Sequence, residues 1–120
     1  MTESQIQAQI IEYLSLRGIY CHSVPNEGAG PNKLRTMRLI AQGMRPGVAD
    51  LVVWFPWGRV GYLEVKTPTG RQSESQKRFQ ARCEREGIFY AVVRSVDEVA
   101  EIIDSLMEKG EDSTGRAHGK

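Results

Sequence analysis

The sequence predicts a single mixed α/β domain: a mixed β-sheet with a central hairpin, flanked by helices. Three observations predict it. Apolar residues at helical period open and close the chain, two apolar runs joined by Pro56-Trp57-Gly58-Arg59 sit at its centre, and a further helix pattern separates that hairpin from one more strand pattern. At 120 residues the chain can bury one small core but not two. Residues 1–108 are read as the domain. Residues 109–120, dominated by Gly, Ser, Thr and charge, are read as a disordered tail.

Taken in order, Thr2 to Gln5 and Ser4 to Gln7 both fit a capping box, and Ile6, Ile10, Ile11 and Leu14 follow at helical spacing up to Gly18. At 100° per residue Glu3 projects on the side of Ile10 and Leu14, towards the body of the domain. Without other evidence it reads first as an acid of the opening turn, favoured by the helix dipole. Ile19 to Val24 reads as a short strand. Asn26, Gly28, Gly30, Pro31 and Asn32 read as a long loop, after which Met37, Leu39 and Ile40 suggest one or two helical turns, stopped by Gly43 and Pro46-Gly47. Leu51 to Phe55 and Val60 to Lys66 form the hairpin. Ser73 to Gln76 is another capping box, opening a helix through Phe79 and Cys83 to Gly87. Ile88 to Val93 is a strand that a right-handed crossover sets parallel to the second hairpin strand. Val96 to Met107 is the last helix, with Val99, Ile102, Ile103 and Leu106 on one face.

Composition excludes several classes. With 40% apolar and 26% charged residues and no apolar run near the ~18 residues of a membrane span, the chain reads as soluble. No secretory signal opens it, so a cytoplasmic setting is expected. Cys21 and Cys83 lack partners at metal or disulfide spacing and read as reduced, small apolar residues. No nucleotide cofactor is expected. His22 and His118 read as incidental. Trp54 and Phe55 read as strand core and Trp57 as an exposed hairpin tip, with base stacking the alternative use of these rings.

A net charge of +1 conceals segregation. Between Pro31 and Gly47 the charges are Lys33, Arg35, Arg38 and Arg45, with no acid, whereas Asp97, Glu98, Glu101, Asp104 and Glu108 gather on the last helix. The basic stretch fits a phosphate-contacting face or a solvated loop. Arg71, Lys77, Arg78, Arg82 and Arg85, diluted by Glu74, Glu84 and Glu86, would extend such a face into a groove for nucleic-acid backbones.

The chemistry lies on the second hairpin strand. Side chains alternate there, so Glu64 and Lys66 share a face with Tyr62, about 7 Å apart along the strand. Asp50 reaches them only in one register. Pairing Phe55 with Val60 sets Asp50 opposite Val65, on the wrong face; pairing Phe55 with Arg59 sets it opposite Glu64. The second register is expected, with Gly58 supplying the positive φ of a three-residue connection. Two converging carboxylates without His or thiolate make a hard-oxygen site suited to Mg²⁺ or Mn²⁺, and a neighbouring ammonium completes what phosphodiester hydrolysis requires. Taken alone, Glu64 and Lys66 read first as an ordinary cross-strand ion pair on an edge strand.

Arg45-Pro46-Gly47-Val48-Ala49-Asp50, an apolar strand, Leu63-Glu64-Val65-Lys66 and a downstream Gln76 together resemble the PD-(D/E)XK nuclease superfamily. Within it the pattern looks most like the VRR-NUC (virus-type replication-repair nuclease) family. The resemblance implies the restriction-endonuclease-like core, with Asp50, Glu64 and the Val65 carbonyl as metal ligands and Lys66 as the catalytic lysine. Glu3 would match the first-helix acid and Gln76 the glutamine on the helix after the core, although the capping box also accounts for Gln76. Ala49 departs from the superfamily's Pro, which bears on backbone stiffness ahead of Asp50.

The implied activity is Mg²⁺- or Mn²⁺-dependent endonucleolytic hydrolysis of DNA. A stand-alone domain of this kind resembles phage-encoded members, which implies branched DNA such as four-way (Holliday) junctions, a role in DNA repair, and the host cell cytoplasm as its setting. A homodimer is expected from the paired cleavage positions of a symmetric junction. The rival readings are a non-catalytic DNA-binding or protein-interaction module and a sequence-specific restriction-type nuclease.

Overall fold

Thr2 caps the first helix as its sequence predicts: its hydroxyl accepts from the Gln5 amide at 3.2 Å and the Gln5 side chain accepts from the Thr2 amide at 2.8 Å. The computed structural model describes residues 1–25 and 32–114, with side chains through 109. The elements are α1 (Glu3–Leu16), β1 (Cys21–Ser23), α2 (Lys33–Ala41), β2 (Leu51–Phe55), β3 (Arg59–Val65), α3 (Glu74–Glu86), β4 (Phe89–Val93) and α4 (Val96–Thr114). Most of the predicted long loop, residues 26–31, lies outside the described residues, as does His118.

The strands form one four-stranded sheet in the order β1-β2-β3-β4, with β3 and β4 parallel and the other neighbours antiparallel. The mixed sheet with a central hairpin is therefore as expected. The hairpin adopts the register that the site needs: Leu51 faces Leu63 and Phe55 faces Arg59. Pro56, Trp57 and Gly58 make the connection, with left-handed φ of 68° at Trp57 and 73° at Gly58.

Alternation along the strands then sorts the two faces of the sheet. Ile6, Ile10 and Leu14 of α1 and Val99, Ile103 and Leu106 of α4 pack on Leu51, Val53, Phe55, Leu63, Val65 and Val93. Each such aliphatic side chain contributes about 1.5–3 kcal/mol of burial. Helix α3 covers the opposite face, where Phe79 meets the rings of Tyr62 and Tyr90 at 5.0 and 6.0 Å between centroids.

Four expectations need correction. Helix α2 begins at Lys33, not near Met37: Asn32 caps it by accepting from the Arg35 amide at 3.0 Å, and Leu34, Met37 and Ala41 carry a helical period that the run of turn formers ending at Asn32 obscured. Helix α4 continues past Met107 to Thr114, so residues 109–114 are helical where composition predicted tail. Trp54 is 55% exposed, since the alternation that buries Val53 and Phe55 turns the residue between them outward. Trp57 is half-buried, not an exposed tip, its indole N–H donating to the Leu106 carbonyl at 3.2 Å. Cys21 and Cys83 are free thiols, half-buried and buried, and burial raises the pKa of each. No described helix is long and apolar enough to cross a membrane.

Candidate active site

Strand β3 places Glu64 on the α3 side of the sheet, where it is 1% exposed, and Lys66 follows at its end, 7% exposed. A buried acid and a buried amine are costly unless each finds partners. The Lys66 ammonium lies 3.5 Å from Glu64 Oε2 and 3.9 Å from Glu3 Oε2. Glu3 stays half-exposed at the start of α1, pointing inward as its wheel position predicts. Asp50, at the entry to β2, accepts from the Val65 amide through Oδ2 at 2.7 Å. That bond ties the two hairpin strands together at the site and fixes the Asp50 carboxylate beside Glu64.

Gln76 serves two purposes at once. Its carbonyl accepts from the Ser73 amide at 2.8 Å, closing the capping box of α3, and its Nε2 donates to Glu64 Oε2 at 3.0 Å. One side chain therefore closes the cap and contacts Glu64.

Glu64 Oε2 is thus shared between Lys66 and Gln76, while the buried Oε1 has no hydrogen-bond partner among the described residues. Burial, then the charge of Asp50, push the Glu64 pKa up to about 8 against the opposing pull of Lys66. A cation held beside Glu64 and Asp50 would oppose that rise. No cluster of three or more His, Cys, Asp and Glu suited to a metal occurs among the described residues, so Asp50 and Glu64 offer two carboxylates. Mg²⁺ binds typically in such sites, through one or two carboxylates, with waters and substrate phosphate oxygens filling the rest. The orphaned Oε1 and the all-oxygen donor set fit that ion.

The basic residues are more dispersed. Lys33, Arg35 and Arg38 are exposed on α2, and Arg71 is exposed ahead of α3. Arg45 donates to the Ile40 and Met44 carbonyls at 3.1 and 3.0 Å, so it supports the turn after α2. Lys77 pairs with Glu74 at 3.6 Å, and Arg82 with Glu86 at 2.6 Å.

Two supporting residues, Arg94 and Gln72, escaped the sequence reading, and a third, Gly47, was read only as a turn. Arg94 donates from Nη1 to the carbonyls of Thr67 and Gly70, at 2.6 and 2.8 Å, and so clasps the turn that follows Lys66. The parallel pairing of Val65 with Val93 was the signal, because it sets position 94 alongside 66. Gln72 donates to the Tyr90 hydroxyl at 3.0 Å, on a side chain whose pKa burial, foremost, raises to about 12. Gly47, at φ 84°, passes so close to α3 that a Cβ there would lie 2.3 Å from the Ser75 carbonyl oxygen. This contact locks the loop leading to Asp50 against the turn that carries Gln76.

A mixed sheet with a central hairpin and helices on both faces is a PD-(D/E)XK-like fold, and Asp50, Glu64 and Lys66 gather on its hairpin. The chain belongs to the VRR-NUC domain family, whose model matches residues 1–97. Solved structures that share the fold include the following two. One, described as a VRR_NUC domain, is 23% identical at a TM-score of 0.64, covering 87% of this chain and 97% of that one. The other, a VRR_NUC domain protein, is 19% identical at a TM-score of 0.69, covering 88% of this chain and 87% of its own. No protein of curated function matches the chain. Membership makes this a nuclease-type domain.

Proposed function

We propose that the chain is a divalent-metal-dependent endonuclease that hydrolyses phosphodiester bonds in branched DNA, four-way junctions among them. The observation that carries this reading is the buried Glu64 carboxylate, one oxygen held by Lys66 and Gln76 and the other without a partner beside Asp50. Asp50 and Glu64 would hold Mg²⁺ or Mn²⁺, with the Val65 carbonyl as the third protein ligand. When bound, the ion would neutralise charge on a phosphoryl oxygen and lower the pKa of a coordinated water.

The remaining work falls to the chain's own groups. Lys66, held between Glu3 and Glu64, presents an ammonium that can orient the attacking water and stabilise charge building on the phosphate. Gln76 fixes the rotamer of Glu64, and Arg94 holds the turn that follows Lys66. The cations of α2 and Arg71 would meet backbone phosphates away from the scissile bond, as would Arg45 and Lys77 from their structural positions. A homodimer would match the paired cleavage positions of a symmetric junction, and the cytoplasm, a host's if the chain is phage-encoded, is its proposed setting.

The test incubates purified protein with labelled linear, flap and four-way-junction DNA in Mg²⁺, Mn²⁺ or EDTA, beside Lys66→Ala. Cutting that needs the metal and Lys66 and favours the junction supports the reading. Cutting that survives EDTA or the Lys66 change overturns it.

A further inference from the structure

The face of the sheet that carries Glu64 continues beyond the site. Along β3 it runs from Glu64 through Tyr62 to Val60, and along β2 from Val52 to Trp54. Helix α3 covers the middle of this face through Phe79 on Tyr62. Past Tyr62 the face is open: Trp54 pairs with Val60 across the hairpin, and the two are 55% and 52% exposed. Tyr20, 51% exposed, lies against Trp54 with ring centroids 4.6 Å apart. His22 continues the row 5.6 Å from Tyr20, and the Tyr20 hydroxyl and His22 Nδ1 share a hydrogen bond of 3.2 Å. The backbone holds the first pair in place, the Trp54 amide donating to the Tyr20 carbonyl at 2.9 Å.

Resting on the nuclease reading, we propose that this Tyr20–Trp54 ledge stacks a base of the substrate left unpaired at a branch point or in a single-stranded tail beside the scissile phosphate. Rings fixed on strands are stacking platforms that accept any base, because every base offers a π-face. The ledge is continuous with the site on one sheet face. Trp54 is level with Val60, four residues before Glu64, or about 13 Å along the strand. That is roughly four B-form steps at ~3.4 Å each, and fewer in a stretched single strand. No acidic side chain lies on β1 or β2, and β3 opens with Arg59 and carries no acid before Glu64, so phosphates meet no repulsion beside the ledge. The hydroxyl of Tyr20 and the ring nitrogens of His22 provide polar tips for the hydrogen-bonding edge of a base.

The experiment is fluorescence anisotropy in EDTA, with labelled blunt duplex and the same duplex bearing a single-stranded tail. The wild-type protein is expected to prefer the tailed duplex. Trp54→Ala and Tyr20→Ala are each expected to weaken tailed binding about tenfold while leaving blunt binding unchanged. Trp54→Phe, which keeps a ring on the strand, should stay within about threefold. Equal losses on both duplexes, or no loss on either, overturn the proposal. So does a wild-type dimer that sedimentation shows to dissociate on Trp54→Ala, which would assign the ledge to a second copy of the chain. Binding in EDTA needs neither metal nor cleavage. Trp54-dependent tail binding by a protein that cuts nothing in Mg²⁺ would therefore sink the nuclease reading and leave the ledge standing.

Discussion

Gln76 reaches Glu64 at 3.0 Å with the same side chain that closes the cap of α3. Helix start and site are thereby one unit. Gln76→Ala removes both contacts, and loss of such a supporting hydrogen bond lowers metal affinity or cleavage about 10–100-fold. Gln76→Glu keeps the cap but sets a second acid against Glu64, so it should restore stability in a melting experiment without restoring cleavage. Equal activity in all three proteins would show that Gln76 is only a cap.

Lys66 is buried between two acids, and its removal leaves Glu64 Oε2 with Gln76 alone. Lys66→Ala is expected to lower the cleavage rate by on the order of 10²–10³-fold, the size of a lost charge-stabilising donor. Metal binding by calorimetry should persist. Loss of metal binding together with cleavage would make the lysine a structural counter-ion.

Glu64 gives stability a pH dependence whose sign follows from its raised pKa. The folded value of about 8 exceeds the ordinary 4.5, so the folded chain prefers the protonated acid. The stability it contributes is full below about pH 4.5 and is lost as pH rises to about 8. In EDTA, thermal melts of wild type and Glu64→Gln should therefore coincide near pH 4.5 and diverge above it, with the variant the more stable at pH 8. Added Mg²⁺ should reverse that order at pH 8, since it stabilises only the chain with the carboxylate. A variant less stable than wild type at pH 8 in EDTA would contradict this account of the site.

Gly47 is the narrowest contact between the Asp50 loop and α3. Gly47→Ala combines a strained φ, about 1–3 kcal/mol, with a Cβ 2.3 Å from the Ser75 oxygen. Melting temperature and cleavage should both fall, whereas Gly18→Ala, with a similar φ but nothing within 4 Å of the added Cβ, should lower stability alone. Normal cleavage by a folded Gly47→Ala would show that the close approach does not position the site.

Much of this was legible because local rules and the site agree. The capping boxes fixed two helix starts, and the requirement that Asp50 reach Glu64 selected the register of Leu51 on Leu63 that the strands adopt. What was not legible depends on tertiary neighbours. Helix α2 starts straight after a run of turn formers, and Asn32 reads as one more loop residue until its side chain is seen to accept from the Arg35 amide. Leu51 to Phe55 is a continuous apolar run, and only the cover over each face decides that Phe55 is core and Trp54 is not. Arg94 lies 27 residues from the carbonyl of Thr67, and a parallel pairing has to be known before the two can be joined.

The central claim is that Asp50 and Glu64 hold the metal. Anomalous diffraction from crystals soaked in Mn²⁺ tests it directly, with wild type beside Glu64→Gln. The account predicts one strong peak between the Asp50 and Glu64 carboxylates in the wild type, weakened or absent in the variant. A peak elsewhere, no peak at a concentration that supports cleavage, or an undiminished peak in Glu64→Gln would contradict it.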